Sequence, residues 1–227
     1  MTYPRPDAIV FDFDLTLVNS LEGFVESHAV AAASVGLTPP ARETIARTIG
    51  TPLTDVFGWL YGPEQESLRD AWLRAYQARA DEVMTDLTVF LDGIPTALRK
   101  LHGAGIKLGI VSQKLRYRVE DVLRRAGQLQ AFTVVLGGDD VPALKPDPAG
   151  LRLALERLAV SNEHALYVGD PSIDADTAQR AGVPFLAVLT GYATAAELGA
   201  FKPVASLASV AALPAFLGLD AAAARPA

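Results

Sequence analysis

Apolar positions along the chain pass through three regimes of spacing, and each predicts a different kind of structure. Residues 8–11, Ala-Ile-Val-Phe, form an unbroken apolar run rich in β-branched and aromatic side chains, the pattern of a buried strand. From 20 to 35 the spacing turns helical: Leu21, Phe24, Val25, His28, Ala29, Ala32 and Val35 share a face, and Gly36 closes the run. Pro39–Pro40 starts a second helical stretch ending near Gly50, and Thr51-Pro52 opens a third that reaches Gly62-Pro63. Glu64 to about Val83 carries a fourth, with Leu68, Trp72, Leu73, Tyr76 and Ala80 on one side. Residues of about 20 to 88 therefore read as an all-helical block with no convincing strand. Its aromatic residues Phe57, Trp59, Tyr61, Trp72 and Tyr76 are expected in the core of a small bundle rather than on a stacking surface.

Beyond Phe90 the spacing alternates. Helices are predicted over Ile94–Leu101, Tyr117–Ala126, Ala149–Leu158 and Ile173–Ala181, each leading to an apolar strand: Ile106–Val111, Phe132–Leu136, Ala165–Val168 and Phe185–Leu189. A short strand near Pro203–Ser206 and a helix to about Leu217 follow, and the alanine-rich end 221–227 is expected to fray. Near-continuous apolar strands alternating with helices mean a parallel sheet covered on both faces. The fold class is thus α/β, a Rossmann-like doubly wound sheet built from 1–18 and 89–227, with an all-helical domain inserted at 19–88. There is no internal repeat and no low-complexity linker.

Composition narrows the partners. Half of the 227 residues are hydrophobic and a fifth are charged, which suits a globular protein and not a disordered one. The formal net charge of −6, with no basic stripe, argues against nucleic acid. It does not exclude a phosphorylated substrate in a locally positive pocket. There is no cysteine, so disulfide and thiolate chemistry are excluded. No apolar run approaches membrane-spanning length, and no basic segment leads into an apolar one at the N-terminus, so a cytoplasmic protein without membrane contact is expected.

In open α/β sheets ligands bind outside the carboxyl ends of the strands. The first strand ends in Asp12 and Asp14, with Thr16 beyond, and the second in Ser112-Gln113-Lys114. The third is followed by Asp139, Asp140 and then Lys145-Pro146-Asp147, and the fourth by Gly169-Asp170 with Asp174 and Asp176. Strand alternation lets Asp12 and Asp14 share one face while Phe11 and Phe13 take the other. Two unpaired carboxylates at a strand end repel and resist desolvation, so a cation between them is expected, and oxygen ligands suit Mg²⁺.

Asp12-Phe13-Asp14-Leu15-Thr16-Leu17, then Ser112, then Lys145-Pro146, then Gly169-Asp170-Pro171-Ser172-Ile173-Asp174 resemble the four ordered motifs of the haloacid-dehalogenase-like hydrolases. The resemblance spans nearly the whole chain, including a helical cap after the first strand. Arg47-Thr48-Ile49-Gly50 and Thr190-Gly191-Tyr192 are similar to the phosphoglycolate-phosphatase and pyrophosphatase-like group. The resemblance implies that Asp12 is the nucleophile that forms an aspartyl-phosphate and Asp14 the acid and base. Ser112 and Lys145 would hold the phosphoryl oxygens, with Thr16 and Gln113 lining the substrate site. Mg²⁺ would be held by Asp12, Asp170 and the backbone carbonyl of Asp14, with Asp174 supporting it. Arg47 is expected to bind an anionic end of the substrate. Asp139, Asp140, Asp147 and Asp176 are assigned to solvated loops and helix surface, and His28, His102 and His164 to structural or surface roles.

Three positions depart from the family pattern: Leu15 stands where Gly is usual, Asn19 where Asp is common and Gln113 where Asn is common. Asp14 disfavours a dehalogenase, which lacks it. The absence of lysine before Lys100 disfavours a Schiff-base phosphonatase, and Phe24 in place of a hinge histidine disfavours a mutase. A receiver domain, with its acceptor aspartate on a later strand and no helical insert, fits worse. The expectation is a Mg²⁺-dependent phosphatase for a small phosphorylated metabolite of the phosphoglycolate type, acting as a monomer or homodimer. A pyrophosphatase or sugar-phosphate phosphatase is the alternative, and a weakly catalytic scaffold on the same fold the reading from another class.

Overall fold

The computed structural model describes residues 3–219, so the predicted fraying of 221–227 lies outside the described residues. Six strands form one parallel sheet: β1 (Ala8–Phe11), β4 (Lys107–Val111), β5 (Val134–Leu136), β6 (Ala165–Gly169), β7 (Phe185–Val188) and β8 (Ala205–Leu207). Their order is β5-β4-β1-β6-β7-β8, with Ala8 opposite Lys107 on one side and Ala165 on the other. The period of two in β1 explains why it lies at the centre. Ile9, Phe11 and Phe13 enter one apolar layer, and Ala8 and Val10 enter the other.

The first layer is closed by helices α5 (Ile94–Gly103) and α6 (Arg116–Arg125), and by α10 (Leu213–Phe216). The second is closed by α7 (Ala149–Leu158), α8 (Ser172–Ala181) and α9 (Ala195–Gly199). From β1 the chain builds β4 and β5 to one side, then returns to place β6, β7 and β8 on the other. The crossovers diverge at the carboxyl end of β1, which opens a crevice there.

After β1 the chain makes a tight turn into β2 (Val18–Asn19), which pairs antiparallel with β3 (Val89–Phe90). This two-stranded ribbon is the way into and out of the helical insert. It escapes pattern analysis because two residues cannot show a period of two. Between its strands lie α1 (Leu21–Ser34), α2 (Arg42–Ala46), α3 (Leu53–Tyr61) and α4 (Arg69–Val83). The stretch expected to be helical from 39 to 50 is helical only over α2, and the stretch from Glu64 opens as a 3₁₀ segment, Pro63–Leu68. Fully buried Trp72 organises the insert, with the rings of His28, Tyr76 and Phe57 centred 5.2, 5.4 and 5.5 Å away. Trp59 is the exception among the expected core aromatics, at 62 % exposure. Two residues beyond buried Phe57, it points to the opposite side of α3. No helix among the described residues is long and apolar enough to cross a membrane.

Candidate active site

The sheet ladder fixes the strand ends before any side chain is considered. The Asp12 amide donates to Val168 O at 2.9 Å, extending the β1–β6 ladder, and the Ser112 amide donates to Leu136 O at 3.0 Å, extending β4–β5. Asp12, Asp14, Thr16, Ser112, Lys145, Asp170 and Asp174 are thereby brought together, all of them buried.

Lys145 is the hub. Its Nζ donates at 2.7 Å to Asp12 Oδ1, at 2.7 Å to Asp174 Oδ1 and at 3.2 Å to the Tyr167 hydroxyl. Tyr167 also donates to Asp174 Oδ1 at 2.9 Å. Burial works against the ammonium, but Asp12 and Asp174 hold its pKa well above the ordinary value. The Lys145–Pro146 peptide is cis. Thr16 Oγ1 donates to Asp170 Oδ1 at 2.6 Å, so this hydroxyl orients a carboxylate. Gln113 Nε2 donates to Lys145 O at 3.1 Å and Gly50 O at 3.3 Å, tying the insert to the core loop. Ser112 Oγ accepts from the Lys114 amide at 3.1 Å and faces the cavity that Asp12 and Asp14 line.

Oxygens of Asp12, Asp170 and Asp174 lie within 4.8 Å of one another. Burial pushes the Asp12 pKa up to about 7, with Asp174 and Asp14 adding repulsion that Lys145 offsets only in part. Asp170 is raised well above the ordinary range by burial and by Asp12, and Asp174 is raised by burial. Asp174 Oδ2 is buried with no hydrogen-bond partner. Two glycines make room for this packing: a Cβ on Gly169 would lie 2.1 Å from Asp174 Oδ2, and one on Gly191 1.9 Å from Asp170 Oδ2. The donors are hard oxygens clustered within 4.8 Å, and Asp174 Oδ2 among them has no partner; this set fits Mg²⁺.

Pattern reading missed three participants. Lys114 Nζ lies 3.1 Å from Asp14 Oδ1 and is buried, and its ammonium sits 4.8 Å above the Phe24 ring. Tyr167 carries no signal beyond belonging to an apolar strand. Arg118 shares the stripe of α6 that buries Val119, Val122 and Leu123, and an arginine on an apolar stripe was the available clue. Arg47 is exposed and borders a cavity of about 450 Å³ with Leu15, Asp170, Tyr192 and Glu197, which adjoins at Gly50 and Thr51 the cavity of about 290 Å³ that Asp12 and Asp14 line. Of the acids assigned to solvated surface, Asp176 pairs with Arg180 on the exposed side of α8. Asp139 accepts from the Arg116 amide at 2.8 Å and lines the smaller cavity.

A central β1 with two aspartates beyond it, a lysine hub and an acidic strand end at β6 define a hydrolase class. The haloacid dehalogenase-like hydrolase model matches residues 9–188, and the chain belongs to that family. Within it, the chain is 30% identical over 196 residues to a phosphoglycolate phosphatase of Xanthomonas campestris pv. campestris, covering 85% of this chain and 86% of that one. It is 31% identical over 193 residues to an N-acetylmuramic acid 6-phosphate phosphatase of Pseudomonas aeruginosa, covering 83% and 84%. A haloacid dehalogenase-like hydrolase of Bacteroides fragilis superposes with a TM-score of 0.88 at 34% identity, over 92% of this chain and 100% of that structure.

Proposed function

We propose that the protein is a phosphatase that hydrolyses a small phosphorylated metabolite through an aspartyl-phosphate on Asp12. The observation that carries this reading is the Asp12 carboxylate, gripped on one oxygen by Lys145 and facing, with Asp14 and Ser112, a cavity of about 290 Å³. Its relatives include phosphatases for two different esters, which supports the reaction class and leaves the substrate to the cavity.

An Asp12 oxygen attacks phosphorus and the bond to the ester oxygen breaks. Asp14, across the same cavity, protonates that oxygen as it leaves. Asp14 then takes a proton from water, which attacks the acyl phosphate, and phosphate and the free Asp12 carboxylate result. Ser112, on the cavity, and the Lys145 ammonium, bonded to Asp12, would stabilise the charge on the phosphoryl oxygens through both steps. Asp174 and Tyr167 hold Lys145 in place, and Thr16 holds Asp170. Asp12, Asp170, the Asp14 carbonyl and Asp174 would hold Mg²⁺, which supplies charge neutralisation for the phosphoryl group and keeps Asp12 ionised. The helical insert acts as a cap: α1 and α4 carry Phe24, His28 and Tyr76 onto the cavity, enclosing the ester and limiting water.

The test is a screen of small phosphomonoesters and pyrophosphate with Mg²⁺ and with excess chelator. The reading expects ester hydrolysis that chelation removes and Mg²⁺ restores. Absence of phosphate release from every ester would overturn it.

A further inference from the structure

The cavity that holds Asp12 and Asp14 has a charged far wall, and its geometry suits a particular class of leaving group. Lys114 and Arg118 both line it, but they are not equivalent. The Lys114 ammonium is already committed to Asp14 at 3.1 Å. Arg118 comes from α6 of the core and reaches α4 of the insert. Its Nε donates to Asp81 Oδ1 at 2.8 Å, and its Nη2 donates to the same oxygen at 2.5 Å and to Gln77 O at 3.0 Å. Nη1 donates to no acceptor among the described residues. Tyr76 is buried and lines the same cavity as Asp14 and Arg118.

A tie between core and insert does not require this arrangement. Arg125 makes such a tie from the surface, through Asp86 at 2.9 Å and Thr88 O at 2.8 Å, with its side chain 42% exposed. The Arg118 side chain is only 8% exposed, while its one carboxylate partner, Asp81, is 50% exposed and is shared with the Tyr117 hydroxyl. A guanidinium taken out of water needs anionic partners to offset its desolvation, and Asp81 supplies one from the rim alone. Arg118 also lines the cavity of Asp12 and Asp14, where a bound anion would be a second partner for it.

We propose that Arg118 determines specificity by taking an anionic group, a carboxylate or a second phosphate, on the leaving group of the ester. This rests on the phosphatase reading above and adds recognition from the wall of the cavity that holds Asp12. Asp81 and Gln77 O pre-orient the planar fork, so the bound anion completes a set of charge-assisted hydrogen bonds that only an anion can complete.

The test uses pairs of esters that share a carbon skeleton and differ in the charge of the leaving group. One pair is 3-phosphoglycerate against glycerol 1-phosphate, and the other is fructose 1,6-bisphosphate against fructose 1-phosphate; the two pairs separate carboxylate from phosphate as the anion read. The wild type should prefer the anionic member of one pair in kcat/KM. Arg118→Gln should reduce that preference at least tenfold, through KM, and Arg118→Lys should restore part of it. Asp81→Asn, which loosens the tie but keeps the guanidinium, should lower both members together and leave most of the preference. An Arg118→Gln enzyme that loses activity equally on both members makes Arg118 a tie alone and overturns the proposal. So does a wild type that hydrolyses the neutral members as well as the anionic ones. Hydrolysis of no ester by the wild type would instead strike the phosphatase reading itself.

Discussion

Leu15 stands between Asp14 and Thr16 with φ at 61°, a conformation that costs an L-residue about 1–2 kcal/mol and glycine nothing comparable. The turn demands it: the Leu15 amide donates to Val18 O at 2.7 Å and the Leu17 amide to Phe13 O at 3.0 Å. The side chain is 5% exposed and packs with Leu21, Ala46 and Ile49, joining the loop after β1 to the insert. Leu15→Ala keeps the backbone cost and deletes that packing, a loss of about 2–3 kcal/mol at a site that also borders a cavity. Leu15→Gly loses a further methyl group, about 0.8 kcal/mol, and adds about 0.4–1 kcal/mol of unfolded-chain entropy. Relief of about 1–2 kcal/mol of backbone cost offsets both. The two variants should therefore unfold within about 0.8 kcal/mol of each other in urea, at fixed Mg²⁺. At a buried position with ordinary φ, glycine would trail alanine by about 1.2–1.8 kcal/mol on the same terms. A glycine variant trailing by that margin would refute the argument that Leu15 is held against its backbone preference by packing.

Asp12→Asn should abolish turnover without loss of the folded state, checked by steady-state kinetics beside circular dichroism. Tyr167→Phe removes one donor from Asp174 and a partner from Lys145, and should cost about 0.5–1.5 kcal/mol of stability and lower kcat rather than raise KM. His28 is buried against Trp72 and Tyr76, and its pKa is depressed from 6.5 to about 4 by burial. The unfolded chain therefore takes up a proton that the folded chain refuses between those values. Stability from this residue is intact above pH 6.5 and is lost as pH falls toward 4, by up to roughly 3 kcal/mol. His28→Phe should lessen the acid sensitivity of the melting temperature between pH 7 and 5, and an unchanged slope would count against it. Arg47→Ala should change kcat/KM for any ester less than about threefold, since Arg47 borders the other cavity; a tenfold loss would return it to the substrate site.

Part of the site was legible in the chain because three of its residues stand at the end of an apolar run. Asp12, Ser112 and Asp170 follow β1, β4 and β6 directly, and strand ends are where a parallel sheet presents its loops. What was not legible depends on residues far apart in sequence. The tie from Arg118 on α6 to Asp81 on α4 spans thirty-seven positions, and no local period encodes it. Lys114 follows Ser112 by two residues and reads as loop charge until its distance to Asp14 is known. The turn at 46–51 divides its side chains in a way no local pattern shows: Thr48, Gly50 and Thr51 line the cavity of Asp12, while Arg47 borders the neighbouring one with Tyr192 and Glu197. The departure at Leu15 could be seen as a departure, while its physical meaning needed the backbone angle.

The central claim is that phosphate passes through Asp12, and the most direct measurement is to trap it there. Asp14→Asn removes the base for the second step but leaves the first open to an ester with a good leaving group. This variant, mixed with an activated aryl phosphate and Mg²⁺ and quenched in acid, should carry a phosphoryl mass increment on the peptide containing Asp12. The same increment should be absent from Asp12→Asn/Asp14→Asn. An unlabelled Asp12 peptide in a variant that still releases aryl alcohol, or an equal label in the double variant, would contradict the account.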